Sequence, residues 1–222
     1  MSIDITRTKD PSTAAQILSQ DRTAYILGGG TGLMRRIHEG DQNVRRLIRI
    51  HDLELDKITR LGTTFSIGSQ VTMSQILADP ALQVLHDAAA SVGAPALRNM
   101  ATIGGNLFSR PPYGDLTTAL LALEATVVFI NNNRQEQQAL ETFLKHSGPR
   151  RLVLALEIPS TTNKKLFYHK MTRCHPRGAS LITLAVAVHY SAGRYSTARI
   201  AFGGLGGRPF RALNAERALT GN

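Results

Sequence analysis

The chain has 222 residues, 42% of them hydrophobic, which is enough to bury the core of one large domain or a domain and a half. Its single cysteine, Cys174, excludes an internal disulfide and any iron–sulfur cluster held by this chain alone, and no apolar run nears the roughly 20 residues of a membrane helix. The formal charge is +10, yet the basic residues fall in separate pairs (Arg35 and Arg36, Arg45 and Arg46, Arg150 and Arg151), and 5% aromatics give no stacking platform, so an acidic partner or an anionic cofactor is expected rather than nucleic acid.

The opening "MSIDITRTKDPSTAAQ" is polar and lacks the apolar core of a signal peptide, so a cytoplasmic location is expected. "AYILGG" (24–29) is a short apolar run ending in glycines, a buried strand entering a tight turn, with a helix from Leu33. "RLIRI" (46–50) and "TTFSIGSQVT" (63–72) read as strands, and "MSQILADPALQVLHDAAASVG" as two helices broken near Asp79–Pro80. "DLTTALLALEA" predicts a helix feeding the strand "TVVFI"; "INNNRQEQQ" (130–138) is a hairpin tip or loop; "ALETFLKH" is a short helix and "RLVLALEIP" a strand stopped by Pro159. The polar "PSTTNKK" (159–165) reads as a connection between domains. Three β-rich runs follow ("LFYHKMTR", "SLITLAVAVHY", "STARIAFGGL"), then the amphipathic helix "FRALNAERAL". So small a second unit is expected to lean on the first or on another chain. The seven histidines do not pair at metal-ligand spacing, and no metal site is expected.

Two glycine-rich segments carry the chemistry. "GGGTGLM" (28–34) lies between a predicted strand and a helix, where main-chain N–H groups and the positive helix end suit a phosphate. It is not the dinucleotide fingerprint G-x-G-x-x-G, since Leu33 stands where the third glycine belongs. "TIGGN" (102–106) offers a second set of unblocked amides, with the Thr102 hydroxyl and the Asn106 amide as further donors; the alternative is a turn whose glycines serve positive φ. Asp115 either accepts hydrogen bonds from a ribose or caps the helix that follows it.

Taken together, "YILGGGTGLM", "IGSQVTMSQILADP", "AAASVGAPALRNMATIGGNL", "GDLTTALLALEATVVF", "LVLALEIPS", "FYHKM" and "ARIAFGGLGGRPFRALNAERALTG" resemble the FAD-binding (medium) subunits of the molybdenum hydroxylases, of carbon monoxide dehydrogenase and xanthine dehydrogenase type. The resemblance implies an α+β fold: a two-lobed FAD-binding domain of PCMH type over residues 1–162, and a partial C-terminal domain over 163–222 that is shorter than its counterparts. It implies that the FAD pyrophosphate is wrapped by Leu27, Gly28, Gly29, Gly30, Thr31, Gly32 and Leu33 and by Thr102, Ile103, Gly104, Gly105 and Asn106. Asp115 then addresses the ribose or adenine side, Val92 and Val153 line the cofactor, and Lys170 lies near the flavin ring, with Tyr168 nearby.

Gly32 stands where many relatives carry a polar side chain, and the segment around Arg110 lacks the cluster-binding cysteines of some. By the same likeness no side chain here acts as nucleophile or general base, and FAD receives electrons from iron–sulfur clusters in a small subunit fed by a molybdenum cofactor in a large one. The other readings are a stand-alone flavin reductase of the same fold, such as one forming UDP-N-acetylmuramate, an assembly module without cofactor, and a basic nucleic-acid binder.

Overall fold

Three β-sheets carry the architecture in a computed structural model of the chain, which describes residues 2–110, 112, 114–131, 133–146, 150–159, 164–174, 178–191, 194–205 and 207–220. The first sheet is parallel, ordered β1 (Asp4–Arg7), β3 (Arg46–Arg49), β2 (Ala24–Leu27), and its crossovers are α1 (Pro11–Gln20) and α2 (Thr31–His38). The sequence reading missed β1 and α1, although α1 carries a clear start: Asp10 accepts from the amides of Ser12 and Thr13 at 3.1 and 2.9 Å, and Pro11 opens the first turn.

The second sheet is antiparallel, ordered β4 (Ile58–Leu61), β5 (Thr64–Gly68), β8 (Leu152–Pro159), β6 (Thr126–Asn131), β7 (Arg134–Ala139). The predicted hairpin tip falls between Asn131 and Arg134, but the Gln-rich residues after it form β7 rather than loop. An edge strand with solvent on most of its side chains has no need of apolar residues, so hydrophobic pattern could not reveal it.

Helices α3 (Met73–Ala78), α4 (His86–Ala90), α5 (Pro95–Arg98), α6 (Ile103–Leu107), α7 (Asp115–Ala122) and α8 (Leu140–Lys145) belong to this lobe. The expected break at Asp79–Pro80 is present: α3 ends at Ala78, and Asp79 caps a 3₁₀ turn over Pro80–Leu85 that runs into α4. Helix α7 is buried along its whole length and forms the middle of the main core with Leu82, Leu85, Ile103, Val127 and Leu156.

The third sheet is antiparallel, ordered β12 (Phe210–Arg211), β11 (Arg194–Gly203), β10 (Ser180–Ser191), β9 (Lys164–Thr172), with α9 (Leu213–Leu219) beside β11. Most of the predicted connection, residues 160–163, lies outside the described residues. As expected of so small a unit, this sheet closes no core by itself: Ala185, Ala187 and Ala201 pack into the same cluster as α7, and the buried hydroxyls of Thr118 and Thr183 meet at 2.9 Å. Small residues on both surfaces let the sheet approach the helix closely; a Cβ on Gly203 would lie 2.3 Å from Thr118 Oγ1. Among the described residues no helix is long and apolar enough to cross a membrane.

Candidate functional site

The two glycine turns touch. Gly28 to Gly30 connect β2 to α2, and Gly30, the residue before the helix, has φ 71°, which explains glycine there. A Cβ on Gly29 would lie 1.5 Å from the carbonyl oxygen of Met100, and one on Gly28 would lie 3.2 Å from Thr102 Oγ1. Only a main chain without side chains fits so closely against the segment that leads into α6. Gly32, by contrast, faces open space, so no neighbour requires a glycine at that position. Leu27, Thr31 and Leu33 are half-buried around this turn.

The second segment is not an open loop but a single helical turn. Thr102 caps α6 by accepting from the Gly105 amide at 3.1 Å, while the amides of Ile103, Gly104 and Asn106 donate to Val71, Ser69 and Thr102 carbonyls at 2.9 Å each. The expectation of unblocked amides across Thr102–Asn106 therefore requires correction: those of 103 to 106 are already used. The glycines do not serve positive φ either. Gly104 is needed because a Cβ would meet Ser69 O at 2.8 Å and Ser69 Cβ at 2.9 Å. Asn106 Oδ1 accepts from the amide and hydroxyl of Thr117 at 3.2 and 3.3 Å, which ties α6 to α7 and leaves the Asn106 NH₂ as the group to donate outward.

Asp115 begins α7, but Gly114, with φ 101°, occupies the capping position, and the carboxylate does not turn back onto its own helix. It is 6% exposed, accepts from Lys170 Nζ at 2.6 Å and from Ser180 Oγ at 2.5 Å. Lys170 Nζ also donates to the Ser91 carbonyl at 3.0 Å. The Tyr168 hydroxyl lies 3.2 Å from Ser91 Oγ; burial, and then the charge of Asp115, push this phenol well above its ordinary range, so it stays protonated. Asp115 and Lys170 thus form one unit where α4, α7 and β9 meet, whereas the family likeness assigned them to separate ends of a cofactor.

Val92 directly follows Ser91, and Val153 sits opposite Phe129 on β8; both are buried in the core cluster. The Leu154 carbonyl accepts from the Ser69 amide at 2.8 Å, so β8 reaches the second turn through Ser69. The tertiary structure brings the predicted residues into one connected set, from Gly28 through Thr102, Asn106 and Asp115 to Lys170 and Val92. Sequence reasoning missed Ser69, Met100, Ser91 and Ser180. Ser180 reaches Asp115 only through the β9–β10 register, for which no local signal exists.

Beside this set a cavity of about 430 Å³ opens at the C-terminal end of α6, with Asn106 and Asp115 on its wall. Asn106 joins this cavity to the second turn.

Two families match the chain. The FAD binding domain in molybdopterin dehydrogenase matches residues 1–161, and the CO dehydrogenase flavoprotein C-terminal domain matches residues 167–222. Among relatives, the nicotinate dehydrogenase FAD-subunit of Eubacterium barkeri is 30% identical over 218 residues, covering 91% of this chain and 73% of that one. The xanthine dehydrogenase FAD-binding subunit of Escherichia coli O157:H7 is 26% identical over 219 residues, 92% and 74% respectively. In fold the chain is similar to carbon monoxide dehydrogenase from Hydrogenophaga pseudoflava, with a TM-score of 0.90 over 100% of this chain and 81% of that one at 24% identity. The chain belongs to the family of FAD-binding domains of the molybdopterin dehydrogenases.

Proposed function

We propose that this chain is the flavin-carrying subunit of a molybdenum-hydroxylase-type oxidoreductase and holds FAD where its two glycine turns close on each other. The observation that carries the reading is the contact of Gly28 and Gly29 with Thr102 and Met100, two segments whose main chains approach so closely that a Cβ at Gly29 would force them apart. The residues fit a dinucleotide. The first-turn amides of α2, from Thr31 to Leu33, point along the positive end of an eight-residue helix toward which a diphosphate is drawn. The second turn supplies shape rather than free amides, and its Asn106 NH₂ is the donor it retains.

When bound, FAD supplies the redox chemistry, accepting electrons from one partner and yielding them to another. The chain's own residues bind and orient. Asp115 holds Lys170 by its Nζ, so the cation is fixed in direction and partly neutralised; Ser91 O provides the second acceptor. Val92 and Val153 present an apolar surface that excludes water. No protein group is assigned a proton transfer.

The relatives named above are FAD subunits of dehydrogenases, which supports a hetero-oligomer: an iron–sulfur small subunit delivering electrons and a molybdopterin large subunit oxidising the substrate, the assembly residing in the cytoplasm. With one cysteine, this chain has no means of holding a cluster alone. The test is an absorption spectrum of the purified chain with added FAD, followed by denaturation and identification of the released flavin. A colourless protein that takes up no FAD, at a concentration where the fold is intact, would overturn the assignment.

A further inference from the structure

Helix α4 ends at Ala90, and the carbonyls from Asp87 to Gly93 are satisfied one after another. The Ser91 amide and hydroxyl serve those of Asp87 and Ala88 at 3.1 and 2.7 Å, and the Val92 amide serves that of Ala89 at 3.2 Å. The next four accept from two cations instead. Arg98 Nη1 donates to the Ala90 and Gly93 carbonyls at 3.0 and 2.7 Å and lies 3.4 Å from that of Val92, while Lys170 Nζ donates to that of Ser91 at 3.0 Å. The last carbonyls of a helix have no partner within it, and a cation there meets the negative end of the helix as well. Ser91 is thus gripped by β9 on one side, through Lys170 and the Tyr168 hydroxyl, and flanked on the other by carbonyls that Arg98 holds.

Arg98 also closes α5, the turn that leads to Met100. The Met100 and Ala101 amides donate to the Leu97 carbonyl at 3.0 and 2.7 Å, and the carbonyl of Met100 is the one that meets Gly29. Gly93 turns at φ 52°, and a Cβ there would lie 2.5 Å from Leu97 Cδ2, so the loop from 91 to 100 closes on itself. One end of this loop holds Lys170, and the other abuts the first glycine turn. The half-buried Arg98 is the side chain that ties the two ends together.

We infer that Arg98 is a positioning residue of the cofactor site: it fixes the Ser91 carbonyl and so sets the direction of the Lys170 ammonium, and it acts on FAD through that lysine rather than by contact. The inference rests on the reading that FAD lies where the glycine turns close, and deepens it. Lys170 is held between two acceptors, Ser91 O and Asp115 Oδ2. When Arg98 is lost, the carbonyls of Ala90 and Gly93 lose their donor, the turn is free to shift, and the ammonium swings to the carboxylate alone.

The experiment measures, in the full chain, FAD affinity by quenching of flavin fluorescence, the visible circular dichroism of the bound flavin, and the melting temperature without flavin. The proteins are the parent, Arg98→Gln, Lys170→Gln and the double variant. Arg98→Gln and Lys170→Gln each weaken FAD by about tenfold, the double variant is no weaker than Lys170→Gln, and the two single variants share one altered flavin dichroism. Arg98→Lys, which keeps a cation on a shorter stem, recovers part of the affinity. Should Lys170→Gln fail to fold with Asp115 unpaired, the cycle is run on Asp115→Asn/Lys170→Gln, which carries neither charge. Losses that multiply in the double variant, or an Arg98→Gln protein with a lower melting temperature and unchanged FAD affinity, overturn the inference and make Arg98 a helix cap only, with the flavin reading intact. A folded parent that takes up no FAD overturns both.

Discussion

Lys170 and Asp115, 55 residues apart in sequence, form a buried ion pair at 2.6 Å between a strand of the C-terminal sheet and the first residue of the central helix. A pair this enclosed is stable only while both partners are present, because removing one leaves an uncompensated charge out of water. Asp115→Ala is expected to destabilise the chain by roughly 3–5 kcal/mol, and Asp115→Ala with Lys170→Met to recover part of that loss. Urea denaturation of the single and double variants measures the coupling, and additive effects would refute it.

The glycines of the first turn separate packing from permissiveness. Gly29→Ala drives a Cβ into the Met100 carbonyl and is expected to cost about 3 kcal/mol or more and to abolish flavin retention. Gly32→Ala meets nothing within 4 Å and adds a better helix former within α2, so its melting temperature should equal or slightly exceed that of the parent. Equal losses in both variants would contradict the contact geometry.

Glu124 carries a left-handed φ of 57° and fastens the two parts of the molecule: its carboxylate accepts from Arg199 at 2.6 Å and lies 3.6 Å from Lys164 and 3.9 Å from Arg211. The site is about one-third exposed, so salt screens it. Glu124→Gln is expected to cost about 1 kcal/mol at low ionic strength and less at high. Thermal melts at two salt concentrations give the difference directly, and a salt-independent loss would point to strain rather than charge.

Acid sensitivity has a local origin just past the C-terminal end of α2. The Arg36 guanidinium, followed by the Asn43 amide, lowers the Asp41 carboxyl from 3.8 to about 2. A carboxyl depressed by folding stabilises the native state above its unfolded value and loses that contribution as pH falls through its folded one. The stability gap between the parent and Asp41→Asn should therefore be steady above pH 3.8 and close as pH falls toward about 2. Denaturant midpoints across that range follow it, and a gap that widens with acid would be the opposite sign.

Much of the fold was legible because apolar runs bounded by glycine or proline mark buried strands and helices, as "AYILGG" and "RLVLALEIP" did for β2 and β8. The polar edge strand β7 and the short turn α6 were not, since neither depends on local hydrophobic pattern. In the site, glycine spacing and the family likeness named residues that prove to be neighbours. What each glycine is for was another matter: positive φ at Gly30, but contact with a distant carbonyl at Gly29 and with Ser69 at Gly104.

Sequence alone determined that this chain is an α+β protein with two side-chain-poor segments, one cysteine and an excess of positive charge, because those follow from residue type and order. Tertiary structure decided that Asp115 turns to Lys170 and Ser180 rather than to its own helix, and that the second turn spends its amides on Ser69 and Val71. Each of these depends on which surfaces the β9–β10 register and the packing of α7 bring together across long stretches of chain, and no local spacing records such contacts.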